Sequence, residues 1–161
     1  MAISFKEEGH LYESIDDDKI TWLSVTSFIG KFKPKFDRDG QAIKSSKNKR
    51  SKWYGMTPKE IIGAWDGETK RAITLGNFYH NQREADMMEL NTIGRHGVEV
   101  PIIKPIVNKQ GLKFSPKQKL VEGVYPEHLV YLKSIGICGQ ADVVEVVNGY
   151  ININDYKTNK E

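Results

Sequence analysis

Asp142, Asp155 and Lys157 lie on either side of Asn148-Gly149, the preferred dipeptide of a two-residue type I′ turn, and both flanking runs are rich in β-formers. With that dipeptide as the turn, residues whose numbers sum to 297 face each other, so Val147 meets Tyr150, Val146 meets Ile151, Val144 meets Ile153 and Asp142 meets Asp155. The register predicts an apolar face of Val144, Val146, Ile151 and Ile153 that ends in two carboxylates, with Cβ atoms about 4.5–5.5 Å apart. Like charges placed there destabilise a sheet unless one carboxyl holds a proton or a cation sits between them. Side-chain alternation puts Lys157 on the same face, opposite Gln140, beside the carboxylate pair. The plainer alternative is a salt bridge between Lys157 and one aspartate at an exposed strand end. An acid-x-Lys triplet occurs three times, at Asp17-Asp18-Lys19, Glu68-Thr69-Lys70 and Asp155-Tyr156-Lys157, and only the third ends an apolar strand opposite a second aspartate.

Further ligands lie upstream. A tight turn at Ser134-Ile135 would set Glu127 opposite Asp142, although neither residue is a favoured turn former. His80 and Glu84, four residues apart, share a helical face, with Gly76 one turn earlier removing side-chain bulk. That face could bring an imidazole and a carboxylate to the end of the sheet, although a lone helical histidine more commonly plays a structural part.

The elements that must position these groups can be read in outline. Leu11 to Glu13 and Ile20 to Trp22 flank Asp16-Asp17-Asp18 as a short hairpin. Ser24-Val25-Thr26-Ser27 offers a cap for a short helix carrying Phe28 and Ile29, which runs into the basic segment and is interrupted by Lys33-Pro34-Lys35. Thr57-Pro58-Lys59-Glu60 combines a Thr cap, Pro at the first helical position and a capping-box Glu. That helix is expected to end near Leu75, with a second over residues 77–90. A strand over residues 98–103 interrupts a connection that runs to Pro116, and the last third reads as strands over residues 127–133, 137–147 and 150–157. Helices before an antiparallel sheet predict one α/β or α+β domain.

Composition narrows the chemistry. With 161 residues, 39% of them hydrophobic, the chain can fill one core. It has no apolar run of the ~18 residues that a membrane span needs, and its N-terminus lacks the segments of a secretory signal, so an intracellular protein is expected. One cysteine, Cys138, excludes an internal disulfide framework, a Cys-rich zinc site and a four-cysteine cluster built by this chain alone, so any metal must use oxygen and nitrogen ligands. The net charge is +3, yet residues 31–52 hold nine basic residues and two acids, a surplus of seven. Such a stretch is either a solvated loop or a face for a polyanion.

Taken together, Gly76-x-x-x-His80-x-x-x-Glu84, Gly139-x-x-Asp142 and Asp155-Tyr156-Lys157-Thr158 resemble, in that order, the motifs of the PD-(D/E)-x-K nuclease superfamily. The nearest likeness is to its RecB-like branch, which includes phage exonucleases and the mitochondrial genome maintenance exonuclease. The resemblance implies a restriction-endonuclease-like core, a central mixed sheet with flanking helices. It implies a site in which His80, Asp142, Asp155 and the Tyr156 carbonyl hold Mg²⁺ or Mn²⁺, Lys157 activates the attacking water and Glu84 supports the histidine or the DNA surface. Carboxylates, carbonyl and water suit Mg²⁺ or Mn²⁺, the imidazole tilting the choice toward Mn²⁺, and a second ion joins if Glu127 contributes.

On this reading the partner is DNA, at linear ends, single- or double-stranded. The basic stretch, with Lys47, Lys49, Arg50 and Lys52, tracks phosphates, Trp53 and Tyr54 are open to stacking on bases, and Gly76 belongs to the nucleic-acid-facing set. Trp65, at helical spacing with Ile61 and Ile62, fits a core position better. RecB-like nucleases usually continue into a helix bearing Gln and Tyr, whereas this sequence ends four residues after Lys157. The chain is therefore read as a minimal or C-terminally truncated nuclease domain, or one whose last layer a partner or oligomer supplies. The activity implied is a metal-dependent exodeoxyribonuclease of phage or recombination type. The competing reading is a non-catalytic or partner-dependent DNA-binding protein with a nuclease fold.

Overall fold

The structure, a computed structural model, describes residues 3–6, 9–15, 19–107, 109, 112–115 and 120–157. In chain order the elements are β1 (Ile3–Lys6), β2 (Leu11–Ser14), β3 (Leu23–Ser24), α1 (Val25–Gly30), α2 (Arg38–Lys47), α3 (Pro58–Glu89), β4 (Thr92–Arg95), β5 (Val98–Pro101), β6 (Ile106–Val107), β7 (Lys113–Ser115), β8 (Gly123–Leu132), β9 (Ile137–Val147) and β10 (Tyr150–Asn154). The protein is α+β with a mixed sheet, since β3 pairs parallel to β9 while β8 and β10 pair antiparallel to it. By contacts the described residues fall into two units, residues 3–32 with 81–157 and residues 33–80.

The first unit is organised by β9. Asn148-Gly149 forms the turn, with φ of 52° and 76°, and β10 pairs with β9 from Tyr150–Val147 to Asn154–Val143, the predicted register. On the other side of β9, the turn at Lys133–Ile135 closes with Gly136 in the left-handed region, where its N–H donates to the Lys133 carbonyl at 3.3 Å. The pairs Pro126–Val143 and His128–Ala141 flank Glu127 and leave it opposite Asp142, as the Ser134-Ile135 turn implied. The apolar face of this hairpin is buried only on its β9 side. Val144 is 2% exposed, whereas Ile151 and Ile153 on terminal strand β10 are 63% and 69% exposed.

Two apolar clusters hold this unit. Met87 of α3 packs with Val100, Ile102, Val124, Val143 and Val147. Ile3 and Phe5 pack with Leu129 and Cys138. Each fully buried aliphatic side chain contributes about 1.5–3 kcal/mol. Glu145 is buried next to the first cluster and ion-paired with Arg95. Gly139 is where α1 approaches β9, since a Cβ there would meet Val25 Cγ2 at 3.2 Å.

Several expectations need correction. Leu11 to Glu13 do not pair with Ile20 to Trp22. Strand β2 pairs with β1 instead, because Ile3 and Phe5 supply buried side chains and Gly9-His10 turn with φ of 80° and 53°. The acidic triplet Asp16-Asp17-Asp18 lies outside the described residues, as does Thr158. The two helices expected on either side of Gly76 are one 32-residue helix, for a glycine inside a helix costs only about 1 kcal/mol. The strand expected at residues 98–103 is β5 and pairs with β4.

In the second unit the Thr57 cap forms as predicted. Thr57 N–H donates to Glu60 Oε2 at 2.8 Å and Glu60 N–H donates to Thr57 Oγ1 at 3.3 Å. The basic stretch contains α2, which the sequence reading did not anticipate; Asp37 caps it by accepting the Gly40 N–H at 3.0 Å. No described helix is long and apolar enough to cross a membrane.

Candidate metal centre

The site is built on the central ladder. Glu127 from β8 and Asp142 from β9 face each other, both strands being fixed in register well beyond this pair. Glu127 adopts φ of 52°, a left-handed conformation that costs a residue other than glycine of order 1–3 kcal/mol. It is 5% exposed, and its carboxylate accepts from Gln140 Nε2, which also reaches the Glu127 carbonyl at 3.4 Å. Asp142 is held from the other side, its Oδ2 accepting the Tyr156 N–H at 2.7 Å.

His80 lies on α3, a helix whose next residues, from Asn81 onward, belong to the first unit. One ligand atom each from His80, Glu127 and Asp142 lies within 4.8 Å of the others. An imidazole nitrogen and two carboxylate oxygens so grouped fit a hard or borderline divalent cation such as Mg²⁺ or Mn²⁺. Glu84, one turn beyond His80, is bound to Lys113 Nζ at 2.7 Å, and the same ammonium is 3.6 Å from Glu127 Oε2.

Asp155 and Lys157 are placed differently. The ladder ends at Asn154, so neither continues the register that would have set Asp155 against Asp142 and Lys157 against Gln140. Their side chains are 57% and 66% exposed and form an ion pair with each other. That pairing holds the Lys157 ammonium above its usual pKa, through the Asp155 hydrogen bond and charge. Among the described residues the converging set is thus His80, Glu127 and Asp142, and Asp155 is outside it. Tyr156 between them is half-buried against the Met87 cluster, and burial, with Asp142 nearby, raises its phenol pKa.

Lys113 was missed by sequence reasoning. It lies in the segment read as a connection, and only the pairing of β7 with β1 brings it near the ladder. No local pattern signals such a long-range strand.

The second unit carries the basic candidates. Lys47, Lys49 and Arg50 are exposed at and beyond the end of α2. Lys52 pairs with Glu68 at 3.2 Å and lies 4.3 Å from the Trp53 ring centroid, over a half-buried indole. Tyr54 is exposed and Gly76 half-buried. Trp65 is half-buried rather than a core residue. Its ring sits 6.1 Å from that of Phe36, in an open cleft of about 480 Å³ that Arg38, Asp66, Glu68 and Thr69 also line.

Comparison of the chain with protein-family profiles, with curated proteins and with solved structures gave no match.

Proposed function

We propose that the protein is a divalent-metal-dependent deoxyribonuclease with a restriction-endonuclease-like core, an exonuclease of phage or recombination type acting on linear DNA ends inside the cell. The observation that carries this reading is the grouping of His80, Glu127 and Asp142 within 4.8 Å, on residues that recur in the ordered motifs of that superfamily or face them in the ladder. When bound, Mg²⁺ or Mn²⁺ polarises a phosphate and lowers the pKa of a bound water. Asp142, tied to the Tyr156 N–H, and Glu127, clamped by Gln140, hold two carboxylates in fixed positions, which limits the reorganisation that ion binding costs. His80 adds the nitrogen donor. Asp155 and Lys157 complete the site in this reading when the segment after Asn154 closes on it, Lys157 then stabilising charge that grows on the phosphate. Lys47, Lys49, Arg50, Lys52 and Trp53 serve as the sequence-independent DNA contact.

The exposed Asp155–Lys157 pair favours a second reading, a non-catalytic or partner-dependent DNA-binding protein in which this segment needs another chain to close it. One experiment separates the two. End-labelled linear single- and double-stranded DNA, beside closed circles, is incubated with the protein in Mg²⁺, Mn²⁺ or EDTA, with Asp142→Ala in parallel. Metal-dependent loss of linear DNA alone, absent in the variant, is the result expected of an exonuclease. Loss of circles as well would make it an endonuclease. Salt-sensitive binding without cleavage would replace the first reading by the second.

A further inference from the structure

Lys113 belongs to none of the motifs that define the proposed site, yet its ammonium stands between two of the site's acids. Its Nζ is 2.7 Å from Glu84 Oε1 and 3.6 Å from Glu127 Oε2, and the side chains of Lys113, Glu84 and Glu127 are 20%, 24% and 6% exposed. An ammonium carries three N–H donors and can serve two acids at once. Here the second acid is also a member of the converging His80, Glu127 and Asp142 group. A divalent ion at that group and the ammonium would claim the same carboxylate, and two cations at such range in a half-buried setting repel each other strongly. A lysine suits this position, since its charge sits at the end of a flexible four-carbon stem and can move without losing Glu84, which is closer to it than Glu127.

We propose that Lys113 is the resident cation of the site. It holds Glu84 and Glu127 while no divalent ion is bound, and the ion binds by taking Glu127 from it. Lys113 is thus a positioning residue that sets the metal affinity, and the inference rests on the proposed metal site of His80, Glu127 and Asp142.

The test is calorimetric titration of the full chain with Mn²⁺, for wild type and Lys113→Met. The variant, freed of the competing charge, is expected to bind Mn²⁺ about tenfold more tightly or better, because a like charge at this range is removed. Equal or weaker binding by Lys113→Met, with wild type binding, overturns the inference and leaves the metal reading standing. Failure of both proteins to bind Mn²⁺ overturns both. A second measurement needs no variant: wild type is acetylated with and without saturating Mn²⁺ and the modified lysines are read by mass spectrometry. Acetylation of Lys113 is expected to rise with Mn²⁺, and an unchanged or reduced level overturns the inference even if Lys113→Met does not fold.

Discussion

Asp142 and Asp155 are chemically the same group, and a single hairpin register sets them face to face on paper, yet the protein treats them differently. Asp142 lies within β9, with β8 paired to that strand on both sides of it, and its carboxylate is tied to a backbone N–H. Asp155 lies one residue past the last rung of β10, exposed and paired with Lys157. The contrast teaches that a turn fixes register only as far as the ladder continues. Beyond it, an aspartate and a lysine two residues apart satisfy each other.

The sharpest way to probe the contrast is to compare the two aspartates. Asp142→Ala is expected to lose cleavage on the order of a thousandfold and Mn²⁺ binding with it, since a ligand is removed. Asp155→Ala is expected to lose cleavage by about a hundredfold while calorimetry finds Mn²⁺ affinity little changed. Equal loss of Mn²⁺ affinity in both variants would erase the distinction drawn between them.

The braced side can be broken through Glu145, three residues along β9 from Asp142. Arg95→Met leaves this buried carboxylate without its ion-pair partner, and urea denaturation is expected to report about 3–5 kcal/mol less stability. A smaller cost falls on the turn that starts the outer strand. Gly149 has φ of 76°, so Gly149→Val should lower stability by about 1–3 kcal/mol in the same assay.

The least effect concerns pH. Burial lowers the pKa of His128, which stacks edge-on against Tyr125 with ring centroids 5.3 Å apart. The unfolded chain, with histidine near 6.5, then binds the proton first. Stability therefore falls as pH drops below about 6.5 and stops changing on this account once pH passes below the folded pKa. His128→Gln should flatten that part of a stability–pH curve.

Much of the ladder was legible because turns are local. Asn148-Gly149 declared its own geometry, and the Ser134-Ile135 centre gave the β8–β9 register although its residue types argued weakly for a turn. Gly136, adopting a φ of 64° just after it, supplies the missing signal. The cap at Thr57 was equally local. Other features depend on partners far away along the chain. Met87 in the far half of α3 packs into a sheet cluster and β1 brings in β7 with Lys113, whereas the β1–β2 hairpin through Gly9-His10 is itself local. For the candidate site, spacing and turn register singled out His80, Glu84, Glu127 and Asp142, while Lys113 is brought in only by tertiary pairing. The exposure of Ile151 and Ile153 was equally hidden, since alternation tells which side chains share a face and not whether anything covers it.

Cys138, the chain's one thiol, has a use in following these variants. It is 1% exposed among Ile3, Phe5 and Leu129, its S–H points to the Leu23 carbonyl at 3.9 Å, and burial pushes its pKa up to about 11. At neutral pH the native thiol is therefore both hidden and protonated, and a disulfide reagent can react only after that cluster opens. The rate of colour release from such a reagent then becomes a clock for breathing of the sheet, one that needs no introduced label and reads every variant on the same scale.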